Sequence, residues 1–161
     1  MRLIATFFYV GLLRPAPGTW GSLAALPVAY ALLLAGGFWL LLAATVAVFV
    51  LGWIATDRVT AGMVNHDPSW IVIDEVAGQW IALFPVAYGA AMMSVEPWRL
   101  WPGWISAFVV FRLFDIWKPG PVGWADRQGG AMGVMLDDAI AGVFAAVVTI
   151  LLAGLAHGVL M

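Results

Sequence analysis

Residues 23–56 read LAALPVAYALLLAGGFWLLLAATVAVFVLGWIAT, and no side chain along that length carries a formal charge. A helix needs roughly 20 apolar residues to cross a hydrocarbon core of about 30 Å. The stretch, 34 residues long, is more than one pass needs and short of two full ones. Gly36-Gly37, near its middle, is a turn signal between a short helix and a longer one. The simplest reading is a helical hairpin, its first arm short for a full crossing.

The rest of the composition agrees with a membrane. Of 161 residues, 64% are hydrophobic and 10% charged, with a mean hydropathy of +1.00. A water-soluble domain of this size cannot hide so much apolar surface. The length suits one membrane-embedded domain over residues 1–161. A net charge of -2 with no basic stripe leaves nothing to support nucleic-acid binding, and no feature marks a protein partner. The absence of cysteine removes a thiolate nucleophile, a disulfide framework and thiolate metal ligation together.

Toward the N-terminus, Arg14 to Ser22 is a turn by its Pro and Gly content, with Ser22 placed as the N-cap of the following helix. Leu3 to Leu13 is too short to span and reads as an interfacial helix. MRLIATFFYVGLL has the charge and apolar run of a signal peptide, but Arg14 and Pro15 stand where a cleavage site would be, so it reads as retained.

Toward the C-terminus, a polar connector from Asp57 to Ser69 precedes a third apolar segment, about Trp70 to Met93, which opens with Asp74 and Glu75 and is kinked at Pro85. Glu96, Pro97 and Arg99 mark a turn. A helix from about Trp101 to Trp117 follows, then a polar loop from Lys118 to Gly133. The last helix is expected to begin near Asp137-Asp138 and reach about His157. The fold class is all-α: an integral membrane bundle with a short N-terminal interfacial helix and about five further helices.

Following the chain through these crossings places Arg14 to Ser22, Asp57 to Glu75 and Arg112 to Asp138 on one side. Eight of the nine acids fall there, leaving Glu96, Arg99 and His157 opposite. Arg14, Arg58, Arg112, Lys118 and Arg127 against Arg99 orient that side to the cytoplasm.

Asp74-Glu75 and Asp137-Asp138 are each flanked by apolar sequence, where an ionised carboxylate is costly unless paired or bound to a cation. The bland reading is acids at helix N-termini, favoured by the helix dipole by a few tenths to about 1 kcal/mol each. Four-residue spacing, however, puts Asp74, Gly78 and Ala82 on one stripe and Asp138, Gly142 and Ala146 on another. Small residues let membrane helices approach closely, so both acidic pairs can meet at one end of an interface. Carboxylate oxygens without cysteine suit a hard divalent cation, and magnesium suits a site that also binds phosphate.

Arg112, Asp115 and Lys118 follow one another at helical spacing beside the acids. They read either as an ion pair with a snorkelling lysine or as a phosphate grip. Asp126 and Arg127 lie in the Gly-rich loop. Thr19 and Ser22, in GTWGS, offer hydroxyls and backbone N–H groups to an anion, or form a plain turn. His66 is read as a metal ligand or general acid, or as a structural loop residue.

PGTWGSLAALP, HDPSWIVIDEVAGQW, FVVFRLFDIWKPGPVGWADR and GGAMGVMLDDAIAG resemble, in that order and from about Pro17 to Gly142, the motifs of the phosphatidylglycerophosphatase A family. The resemblance implies hydrolysis of phosphatidylglycerophosphate to phosphatidylglycerol and phosphate, in phospholipid biosynthesis at the bacterial inner membrane, with magnesium as cofactor. Its pattern falls on Gly18, Thr19, Gly21, Ser22, His66, Asp67, Asp74, Glu75 and Gly78. It continues through Arg112, Asp115, Lys118, Pro119, Pro121, Asp126, Arg127, Gly130, Gly133, Asp137, Asp138 and Gly142. In the resulting scheme Asp74, Glu75, Asp137 and Asp138 hold magnesium, and Arg112, Lys118 and Arg127 grip the phosphate. His66 or Asp67 supplies a proton, and either water or a carboxylate such as Asp115 attacks. The rivals are a phospholipid-forming phosphotransferase and a small cation transporter using the carboxylates as its ion site.

Overall fold

The computed structural model describes residues 1–63 and 67–160, the last four by backbone alone. His66 lies outside the described residues. Among those described there is no strand.

The N-terminal run is more compact than one interfacial helix. Helix α1 (Arg2–Ala5) stops after a turn because Phe7, Phe8 and Tyr9 all adopt left-handed backbone, and a 3-10 turn, Val10–Leu12, follows. Ala5, Thr6 and Phe7 are buried, and the Val72 N–H donates to the Ala5 carbonyl at 2.9 Å, so the segment docks on the core.

Helix α2 (Pro17–Thr60) opens on Pro17, whose fixed φ and missing N–H suit a first helical position. The N-cap is therefore Ala16. Ser22, expected there, lies in the second turn, buried, its hydroxyl donating to the Gly18 carbonyl at 2.9 Å. The expected break is present: Gly36 has φ -159° and ψ 16°, and Gly37 has φ 65° and ψ -159°, a conformation suited to glycine. Gly21 on the outbound arm packs against Val72 and Gly52 on the return arm against Ile73, so both arms are level with the same point of the next helix. α2 is a hairpin.

That next helix, α3 (Ile73–Ala82), is the centre of the bundle, with eight of its ten residues buried. Leu83 and Pro85 interrupt the third segment as expected, and α4 (Phe84–Met92) continues it. After a 3-10 turn, Pro97–Leu100, comes α5 (Trp101–Trp117). The stretch expected as a loop instead holds α6 (Pro121–Asp126) and the first turn of α7 (Gly130–Leu160). Gly129 and Gly130, both at positive φ, make the turn, and Gly133 packs inside α7 close to the Ala125 carbonyl of α6. Helix α7 thus begins two turns early, and Asp137-Asp138 fall in its third turn, beyond the N–H groups that favour acids at a helix start.

Among the described residues, three helices are long and apolar enough to cross a membrane: Pro17–Thr60, Pro97–Trp117 and Gly130–Ala156. Only 22%, 17% and 22% of their most apolar windows are buried within the protein, so the remaining apolar surface needs lipid around it. Exposed Trp20, Trp117 and Trp124 mark one rim of the bundle and exposed Trp39, Trp98 and Trp101 the other, as interfacial tryptophans do.

The two small-residue stripes meet. A Cβ on Gly78 would sit 2.6 Å from the Asp138 carbonyl and 2.6 Å from the Phe111 ring, and one on Gly142 would collide with the Gly78 carbonyl. Gly142→Val is expected to force α3 and α7 apart and cost about 1–3 kcal/mol, read as a lowered unfolding midpoint in detergent. Gly154→Val, where an added Cβ meets nothing, is the matched control and should leave the midpoint in place.

Candidate active site

Five elements bring chemistry to one end of the bundle. Asp74 and Glu75 occupy the first turn of α3, Asp137 and Asp138 the third turn of α7, and Arg112 and Asp115 the last turns of α5. Lys118 caps α5, Asp126 ends α6, and Gly18 and Thr19 open α2. On α3 and α7 the acids stand before an uncharged length, 76–92 and 139–156. Among the described residues, no Asp, Glu, Lys or Arg follows Asp138 along α7.

Asp74, Glu75 and Asp138 each present a carboxylate oxygen within 4.8 Å of the others. Asp74 is 7% and Asp138 2% exposed, yet Asp74 Oδ1 and Glu75 Oε2 have no hydrogen-bond partner. Buried carboxylate oxygens without donors are what a bound cation would satisfy. An all-oxygen set suits a hard cation, so the residues present fit a metal.

Asp137, the neighbour of Asp138, is committed elsewhere. Its carboxylate accepts from the Lys118 ammonium at 2.6 Å and from the Asp138 N–H at 2.9 Å. Successive helical residues point about 100° apart, so one acid of the pair faces α3 and the other faces Lys118. Lys118 also pairs with Asp126. Partial burial works against the Lys118 charge, but Asp126 and Asp137 outweigh it and hold its pKa above the ordinary lysine value. It is a cation at any working pH.

Arg112 pairs with Asp115 and lies 4.0 Å from Glu75, while its buried Nε has no partner. The Asp115 and Asp138 carboxyls lie against each other. Gly18 closes this corner: a Cβ there would collide with the Glu75 carboxylate and approach Arg112 Nη1 at 3.2 Å. Thr19, beside it, is half-buried. The site therefore juxtaposes unsatisfied carboxyl oxygens and an unsatisfied guanidinium N–H, an arrangement complementary to a cation bound together with an anion.

Asp67 reaches solvent but sits in the same electrostatic neighbourhood. Desolvation, reinforced by Asp126 and Asp115 and opposed by Lys118, raises its pKa above the ordinary carboxylate value. Arg127 is exposed on the turn after α6 and makes no ion pair with a described residue. Gln79, not singled out in the sequence, is fully buried one turn beyond Glu75 with both amide atoms unpartnered. Its four-residue spacing from Glu75 was the available signal.

The chain matches the family model described as Phosphatidylglycerophosphatase A over residues 3–153. It is 38% identical to the phosphatidylglycerophosphatase A of Haemophilus influenzae over 149 residues, 92% of this chain and 85% of that one. Against the phosphatidylglycerophosphatase A of Escherichia coli it is 38% identical over 148 residues, 90% of this chain and 78% of the relative. A putative phosphatidylinositol-3-phosphatase of Bacteroides thetaiotaomicron is 37% identical over 145 residues, 88% of this chain and 86% of that one. No solved structure gives a significant match. The chain belongs to the phosphatidylglycerophosphatase A family.

The lysine bridge makes a testable difference between two neighbouring ion pairs. Lys118→Met leaves Asp137, whose side chain is 6% exposed, without its cation and is expected to cost about 2–4 kcal/mol. Asp126→Asn, at a side chain 41% exposed, should change stability by less than about 1 kcal/mol. Unfolding of both variants in the same detergent checks the order.

Proposed function

We propose that this family member is a single membrane-embedded phosphatase domain over residues 1–161. In this reading it hydrolyses phosphatidylglycerophosphate to phosphatidylglycerol and inorganic phosphate, for phospholipid biosynthesis, at the cytoplasmic face of a bacterial inner membrane. The observation that carries the reading is the coincidence of unpartnered oxygens on Asp74 and Glu75, beside Asp138, with the unpartnered Nε of Arg112. The names of the relatives supply the lipid, and the lysine and arginine asymmetry supplies the side.

Asp74, Glu75 and Asp138 would hold magnesium, which when bound neutralises phosphate charge and increases the electrophilicity of phosphorus. Asp137 serves the same centre by fixing Lys118. Arg112 directs its guanidinium, and Lys118 its ammonium, at the non-bridging phosphate oxygens, where negative charge must be stabilised during transfer. Thr19, Ser22 and Arg127 belong to the phosphate-binding side of the site. Ser22 acts there through the backbone it holds, since its hydroxyl is bonded to Gly18.

In the hydrolysis a water oxygen bonds to phosphorus as the bond to the glycerol oxygen breaks, or the Asp115 carboxylate does so first and water then cleaves the aspartyl phosphate; the proton that water gives up restores the one spent on the leaving oxygen. Asp67, with a raised pKa that keeps its proton to higher pH, gives that proton to the leaving oxygen; His66 is the alternative donor. The transporter reading needs carboxylates partway along a crossing. Here residues 139–156 give α7 an uncharged length lying wholly on one side of Asp137-Asp138.

Purified protein in mixed micelles should release phosphate from phosphatidylglycerophosphate, lose that activity to a chelator and regain it with magnesium. Asp74→Asn and Asp138→Asn are each expected to lower kcat by roughly 100-fold or more. Full activity in either variant, or indifference to metal, overturns the assignment. The pH profile tests the proton donor. A group that must be protonated loses activity as pH rises through its pKa, so Asp67→Asn should be slower and should lack that alkaline limb.

A further inference from the structure

Between the outbound arm of α2 and α5 the bundle is open. The two helices touch only sparingly, leaving a groove of about 630 Å³ walled by Leu23, Leu26 and Tyr30 on one side and Trp104, Ile105 and Phe108 on the other. The volume is that of a small-molecule site, and every side chain named except for the Tyr30 hydroxyl and the Trp104 N–H is apolar. Those two polar atoms are spoken for: Tyr30 donates to Glu96, and Trp104 Nε1 donates to the Pro97 carbonyl at 3.0 Å. The ring of Tyr30 also packs edge-on against Trp98 and Trp104, closing the groove at the end opposite Asp74, Glu75 and Asp138.

The groove's other end runs into the site. Because α2 and α5 are antiparallel here, Leu23 lies one turn from Thr19 and Phe108 one turn from Arg112, while Gly18 and Arg112 are in contact range across the gap. From Arg112 down to Trp101 is eleven residues, about 16 Å of helix, close to one leaflet's half of a core about 30 Å thick. We infer that this groove holds an acyl chain of the phospholipid substrate while its phosphate lies against Arg112. The lipid thus enters sideways from the bilayer between α2 and α5. The inference rests on the phosphatase reading for the identity of that lipid. A chain seated there adds uniform binding energy and fixes the depth of the headgroup, so it acts on KM more than on kcat.

Filling the groove from either wall tests this. Leu23→Trp and Ile105→Trp are compared with Ile150→Trp, which adds the same bulk to an exposed face of α7. The groove variants should lower kcat/KM for long-chain phosphatidylglycerophosphate about tenfold, mainly through KM, and change it by less than about twofold for the deacylated headgroup. The α7 variant should leave both unchanged. Equal losses on the two substrates, or none on either, overturn the groove. If the wild-type protein turns over neither substrate, the phosphatase reading fails, and a phosphatidylglycerophosphate carrying a mid-chain photoreactive group still decides the groove. Labelling of α2 and α5 that unlabelled phosphatidylglycerophosphate displaces and phosphatidylcholine does not supports it. Displacement by both equally would mean bulk lipid only, and overturns it.

Discussion

Gly78 and Gly142 set the distance between α3 and α7, and the rest of the site inherits that distance. Neither position has room for a Cβ, because the backbone of one helix lies directly against the backbone of the other. In a bilayer no hydrophobic effect pushes apolar helices together, so close packing of small residues supplies much of the association. Both helices leave the site in the same direction. Asp74 is one turn before Gly78 and Asp138 one turn before Gly142, so the contact that joins the helices also draws their carboxylates into one cluster.

That proximity is electrostatically adverse. Carboxylates withdrawn from water and placed beside one another favour protonation or a counter-charge. The fold answers in two ways. Asp137 and Asp115 are matched internally, to Lys118 and Arg112. Asp74 and Glu75 keep oxygens without a donor, which a cation would satisfy. Adjacent Asp137 and Asp138 differ in what meets them: the Lys118 ammonium takes the first, and the second lies with the α3 acids.

The α2 hairpin links this centre to the bilayer. Its outbound arm begins over Glu75 and Arg112 and ends beyond Tyr30, while its return arm packs on α3 and against Met135 of α7. One element thereby covers the charged end and forms a wall that faces lipid. The N-terminal turn, tied to Val72 through Ala5, steadies the start of α3 from the same side.

Membrane residence, the Gly36-Gly37 reversal, the one-sided charge and the two small-residue stripes were legible in the sequence, because each depends on composition or on spacing along one helix. The motifs of the family were legible for the same reason. The start of α7 was not. Glycine content suggested a loop where packing against α6 makes a helix, and helix boundaries are settled by tertiary contacts more than by propensity. Ser22 was misplaced as a cap because Pro17 had already begun the helix. Which acid pairs with Lys118, which oxygens lack donors, that Gln79 is buried without a partner and that α2 and α5 leave a groove between them were all decided by the tertiary structure. Burial and satisfaction are properties of what a neighbouring helix brings to a residue, and a single chain of letters does not contain the neighbour.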